Sequence, residues 1–195
     1  MNDLKKLSVY KIALIVTAAL ITTPNNLFAS DGFYTSLGAG YGSFDDSSSS
    51  EYDAGVSLNA AIGKRINENI RLEAEIVYQM NSYDTGTSVD VDLRAMSFLL
   101  NGLYDIDIKQ PVTPYVGAGF GFTDVDIEAS SSSSSLNDST SAFAWNIQLG
   151  LSMPIGSGDV FASYQYISTA DLEFDAGTVE GGVTNNFRAG YRYNF

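Results

Sequence analysis

From residue 33 to the end of the chain, apolar side chains recur at every second position. Ile70, Leu72, Ala74, Ile76, Tyr78 and Met80 share one parity, and Arg71, Glu73, Glu75, Val77, Gln79 and Asn81 share the other. At 100° per residue the two carboxylates would be smeared around a helix. At 180° the faces separate, so the segment reads as a β-strand. The last segment has the same design: Val183, Asn185, Phe187, Ala189, Tyr191, Tyr193 and Phe195 form one face, with Arg188 and Arg192 on the other. Similar alternation begins at Phe33, Ala54, Tyr115, Trp145 and Val160. One stretch resists. In 89–104 the apolar parity starts on Val89, Val91 and Leu93 but ends on Phe98, Leu100 and Tyr104. A β-bulge between Arg94 and Ser97 would reconcile the two halves.

The count is about eight strands, and their connections alternate in length. Residues 66–69, 105–112 and 154–159 read as short turns. Residues 44–52, 82–89, 124–141 and 168–182 read as longer polar loops, with serine runs at 47–50 and 130–135. Short turns at one end and long loops at the other are the signature of a transmembrane barrel. The apolar faces carry aromatics near strand ends, as at Phe33, Tyr41, Tyr78, Tyr104, Tyr164 and Tyr193, which suits girdles at the two membrane interfaces. The other faces are rich in Gly, Ser, Asn, Gln and charge. The pattern therefore predicts an all-β, eight-stranded, antiparallel, up-and-down transmembrane barrel over residues 30–195.

The N-terminus changes the picture of where the chain goes. Lys5, Lys6 and Lys11 lead into an apolar run over 12–21, followed by Pro24 and Leu27-Phe28-Ala29. The run is half of the roughly 20 residues a spanning helix needs, so residues 1–29 read as a signal peptide cleaved after Ala29. A spanning mature chain must then use strands that leave no backbone group unpaired.

Composition narrows the chemistry. Of the 195 residues, 23 are Asp or Glu and 10 are Lys or Arg, with no His and no Cys. The acidity argues against a nucleic-acid partner. Lack of His removes the commonest general base and metal ligand, and lack of Cys removes disulfides and thiol chemistry. We expect no catalytic residues, no cofactor and no metal. The pair Asp171 and Glu173 near Tyr166 is no more than any acidic loop supplies.

Gly32–Gly42, the run Tyr115-Val-Gly-Ala-Gly-Phe-Gly121, Tyr164-Gln-Tyr166 and the terminal Gly190-Tyr-Arg-Tyr-Asn-Phe195 resemble the small outer-membrane barrel superfamily. It includes the OmpA-like transmembrane domain and the opacity-type surface antigens. The resemblance implies the bacterial outer membrane, with its lipid as surroundings. It also implies that Phe187, Tyr191, Tyr193 and Phe195 form the signal read by the barrel-assembly machinery.

Two constellations remain. Arg71, Glu73, Glu75, Arg94, Arg188 and Arg192 read as an ion-pair network in the lumen, with Glu73 and Glu75 facing Arg188 and Arg192. It would be either a static plug or an ion gate, and the narrowness of an eight-stranded lumen favours the plug. The long-loop regions carry acids such as Asp45, Asp124, Asp126, Glu128 and Asp171 and no Lys or Arg. They read as a solvated antigenic surface, as an adhesive surface toward a host or matrix, or as a weak divalent-cation site without any calcium-loop spacing. The expected function is that of a monomeric outer-membrane surface protein with a structural and adhesin or antigen role. A low-conductance porin is the alternative, and a lipid-modifying enzyme is third.

Overall fold

The strands form because every second side chain meets a different medium from its neighbour. The structure is a computed structural model that describes residues 32–45, 55–84, 90–131, 134–174, 177–179 and 181–195. The expected signal peptide lies outside the described residues, as do the serines at 47–50. Eight strands close an antiparallel barrel: β1 (Phe33–Asp45), β2 (Gly55–Arg65), β3 (Ile70–Asp84), β4 (Asp90–Asp105), β5 (Thr113–Ser131), β6 (Ser134–Ile155), β7 (Gly158–Thr169) and β10 (Val183–Asn194). Each pairs with the next in the chain, and β10 returns to β1 to seal the wall. Two short strands, β8 (Leu172–Phe174) and β9 (Gly177–Val179), form a separate hairpin between β7 and β10.

The faces fall as the alternation predicts. Leu72, Leu100, Phe120, Leu149 and Phe187 point outward and are at least half exposed, while Arg71, Asn101, Gln148, Gln165 and Arg188 are buried inside. This inverts the polarity of a soluble protein and suits a wall immersed in lipid. On β4 the outer apolar positions from Met96 to Tyr104 cover about 26 Å of strand. That is about 20 Å along the barrel axis at the usual tilt.

In the stretch 89–104 there is no bulge among the described residues, 90–104. The register runs unbroken from Asp84↔Asp90 to Ile70↔Tyr104. The change of apolar parity is real, and its cause is the solvent. Ala95, Val125 and Ala142 are buried on the inner face, whereas Asp124, Asp126 and Ser141 are exposed on the outer face and Arg94 is half-buried there. Charged groups facing outward are costly in hydrocarbon, so these segments of β4, β5 and β6 stand beyond the membrane. There the wall regains the polarity of a water-soluble sheet.

The expected long loops shrink accordingly. Residues 124–141 are mostly strand: β5 runs to Ser131 and β6 starts at Ser134. Ser and Asp have little β-propensity, but ladder pairing from Thr123↔Ala142 to Ser131↔Ser134 carries them. The opposite end is tight. Asn67 Oδ1 accepts the Asn69 and Ile70 amides, at 2.9 and 2.8 Å. Gly156 turns β6 into β7 at φ 64°, so this connection is a two-residue hairpin shorter than the expected 154–159. In the 106–112 turn Lys109 takes φ 57°, and Asp107 accepts both its amide and its ammonium. That ammonium holds the exposed Asp107 carboxyl below its ordinary range.

Candidate functional site: the filled lumen

The lumen is filled in successive tiers from the short-turn end upward. At the mouth, Arg71 clasps Asp105: Nε donates to Oδ2 at 2.9 Å and Nη2 to Oδ1 at 2.7 Å. The half-exposed Arg65 bridges Asp105 on β4 and Asp159 on β7, at 3.2 and 3.4 Å. Asp159 also accepts from Asn194 and lies 3.6 Å from Arg192.

Next come three inward rings. Tyr34, Tyr115 and Phe161 face Gly63, Gly150 and Gly190 across their strand pairs. A Cβ on Gly63 would stand 2.2 Å from the Tyr34 ring, and one on Gly150 2.2 Å from the Tyr115 ring. The glycines are therefore notches into which the rings fold. The Arg192 guanidinium sits over all three rings at 5.1–5.9 Å, and Arg71 sits over the two tyrosines. Such cation–π contacts strengthen when desolvated.

Glu75 is the hub of the tier above. Its Oε1 accepts from Arg188 Nη1 at 2.7 Å and Asn59 Nδ2 at 3.1 Å. Its Oε2 accepts from Asn101 Nδ2 and Gln165 Nε2, both at 2.9 Å. Asn146 extends the net by donating to Asn101 at 2.8 Å. A buried carboxylate requires such donors. Above it Val77, Leu99, Ala144 and Ile167 form a buried apolar cluster.

The expected network is thus partly assembled and partly rearranged. Glu75 and Arg188 meet. Glu73 instead accepts the Tyr34 hydroxyl at 2.9 Å, and Arg192 and Arg71 lean on Asp159 and Asp105. Arg94 does not belong to the lumen. It is on the outer face of β4, opposite Asp126, because the unbroken register gives it the parity of Phe98 and Leu100. Asp105 and Asp159 were missed, though each shares parity with a buried inner residue, Asn101 on β4 and Gln165 on β7. Phe187, Tyr191, Tyr193 and Phe195 are all on the outer parity of the last strand, and the Phe195 amide bonds the Phe33 carbonyl across the seam at 3.0 Å. Asp171, half of the considered carboxylate pair, accepts the Gly181 amide at 3.0 Å.

Between Glu73, Glu75, Gln148, Arg188 and Arg192 there remains a cavity of about 10 Å³, room for about one water. Among the described residues, no group of three or more His, Cys, Asp or Glu is placed to hold a metal ion.

A family model for the outer membrane protein beta-barrel domain matches residues 12–195. A curated relative, an outer membrane protein of Gluconacetobacter diazotrophicus, is 33% identical over 56% of this chain, and the match spans only 37% of that relative's length. Among solved structures, Neisserial surface protein A superposes with a TM-score of 0.68 at 23% identity, covering 85% of this chain and 98% of its own. Ail, the attachment invasion locus protein of Yersinia pestis, gives 0.60 at 18% identity, covering 84% and 100%. At these identities the two structures show the shared fold.

Proposed function

This chain belongs to the outer membrane protein beta-barrel domain family, and from that premise we propose that it acts through its outer surface rather than through its lumen. It is an outer-membrane β-barrel protein of bacteria. In our reading the barrel is a rigid anchor, and the acidic sheet beyond the membrane is the part that meets a host or matrix surface.

The observation that carries this is the filled lumen. A permeating ion would have to part Arg65 from its carboxylates and pass the three rings. It would then have to displace the Glu75 hub and cross Val77, Leu99, Ala144 and Ile167. The cavity between Glu73, Glu75, Arg188 and Arg192, near the size of one water, does not admit a hydrated ion. The rigid scaffold with functional extensions is a common division of labour.

The porin reading rests on one specific feature. Arg192 Nε and Nη1 and both amide atoms of Asn186 are buried without a hydrogen-bond partner, so parts of the lumen invite solvent. Planar-bilayer recording of the refolded mature protein separates the two. Absence of discrete conductance supports the plugged anchor. Discrete steps whose ion selectivity changes with Arg192→Ala would make the porin reading the correct one. In parallel, Asp124→Asn with Asp126→Asn should weaken binding to host cells or matrix, and added salt should do the same. We also propose that Phe187, Tyr191, Tyr193 and Phe195 present the aromatic face read during barrel assembly.

A further inference from the structure

The outer wall carries a groove that starts at a cation and runs along the barrel axis. Cross-strand partners followed once around the barrel from Tyr34 return to β1 at Phe44, ten residues further up the strand. That stagger over eight strands tilts each strand by about 40° to the axis. On a wall so tilted, the line parallel to the axis from Lys64, near the end of β2, passes between Ile62 and Leu72. It crosses Ala74 and continues between Ile76 and Leu100 to Phe98. Two adjoining hollows of about 440 and 470 Å³ follow that line and share Ile62, Ala74, Leu100 and Phe120. Lys64 lines the lower hollow, faces outward and is exposed. Its Nζ stands 4.7 Å from the centre of the Phe33 ring, and among the described residues no carboxylate lies within ion-pair distance of it. Among the described residues, no other Lys or Arg points outward from a strand at this end.

The position of these groups says what the groove takes up. The wall is immersed in lipid, and Lys64 is at its short-turn rim, where long basic side chains reach for the interface. Phe98 is two strands across and four residues along from Lys64, a path of roughly 16 Å. The hydrocarbon of one leaflet is about 15 Å deep. An unneutralised ammonium at the rim attracts an anionic headgroup, and the apolar flanks suit the chain beneath that headgroup. A second copy of this protein docked here about a twofold axis would bring a second Lys64 to the same rim and repel. Going beyond the surface-binding reading above, we propose that this groove binds a phospholipid with a net negative headgroup. Lys64 meets the phosphate, and one acyl chain lies over Ala74, between Ile76 and Leu100, with its end toward Phe98.

The test uses the refolded mature chain in non-ionic detergent with equal amounts of phosphatidylglycerol and phosphatidylcholine of the same acyl chains. Native mass spectrometry counts the lipid that each barrel retains. Retained phosphatidylglycerol is expected, with a preference of about fivefold over phosphatidylcholine. Lys64→Gln should bring the two lipids level, and Lys64→Arg should keep the preference. Ala74→Leu fills the floor of the groove from outside and should lower retention of both lipids. Ala162→Leu makes the same change in a hollow of about 740 Å³ on the opposite wall, where no described cation faces outward, and should alter nothing. Equal retention of the two lipids by the wild type, a preference that survives Lys64→Gln, or retention that survives Ala74→Leu overturns the proposal. A dimer that Ala74→Leu dissociates would put a second copy in the groove and overturn it as well. Should a variant fail to fold, the wild type decides: added salt should erase the preference, and a preference that persists in salt overturns the proposal.

Discussion

Replacing Glu75 by Ala should be among the most damaging single changes in this barrel. The carboxylate accepts four donors, and the ion pair to Arg188 is buried on both sides. Truncation strands the guanidinium, whose Nε already has no hydrogen-bond partner. Breaking a buried pair by removing one member costs roughly 3–5 kcal/mol. The three amide donors each lose a charged acceptor, worth about 1.5–3 kcal/mol apiece in isolation. These losses overlap, because one entering water can serve several of the orphaned groups, so the ion-pair figure is the working magnitude. Glu75→Gln keeps the shape and one acceptor and should cost less. Glu75→Leu with Arg188→Met removes both charges and should recover most of the loss, since apolar replacements of buried pairs are often neutral. The assay is urea unfolding in lipid vesicles, followed by the fluorescence of Trp145, the single tryptophan, which faces outward on β6. A Glu75→Ala cost below about 1 kcal/mol would refute the reasoning, because it would mean that Arg188 is solvated well enough to need no partner.

Three further outcomes follow from the same geometry. Gly63→Ala should destabilise by about 1–3 kcal/mol through overpacking against the Tyr34 ring, while Gly102→Ala, whose Cβ would meet nothing nearer than 4.0 Å, should be close to neutral in the same assay. Arg65→Ala should cost under about 1 kcal/mol because the side chain is 34% exposed, whereas Arg71→Ala, fully buried on Asp105, should cost about 3–5 kcal/mol. Both are read from urea midpoints. Removal of Phe195 should lower the fraction of protein that reaches the heat-modifiable, folded form in cells, with little loss of stability in protein refolded in vitro. Equal losses in both would place the effect in the seam bond to Phe33 rather than in assembly.

Most of the fold was legible because a period of two is hard to mistake. The faces of β3 and β10 followed from Glu73, Glu75, Arg188 and Arg192 alone. The failures share one cause. The pattern was read as if each strand met a single medium along its length. Val91 and Leu93 then demanded a bulge, Arg94 was drawn into the lumen, and the Ser- and Asp-rich stretch 124–141 was read as loop. The strands instead pass from lipid into water, and the apolar parity must flip there without any change of register. Asp105 and Asp159 were missed because they are at strand ends, where a carboxylate reads as turn chemistry. Parity alone would have assigned them inward. Arg65, which reaches across the mouth to both, carried no sequence signal of that reach.

The ring-and-notch pairs have a consequence for how the wall closes. A barrel's diameter and tilt depend on how far each strand is staggered against the next, and hydrogen bonding alone tolerates a slip of two residues. The rings do not. Sliding β1 by one such step would set Tyr34 opposite Ala61 or Arg65 instead of Gly63. Tyr115 would meet Gln148 or Ser152 in place of Gly150, and Phe161 would meet Arg188 or Arg192 in place of Gly190. Each mismatch puts a side chain where only a hydrogen fits. Spread over three different strand pairs, the notches act as index marks around the circumference, and a cylinder of the wrong shear cannot shut.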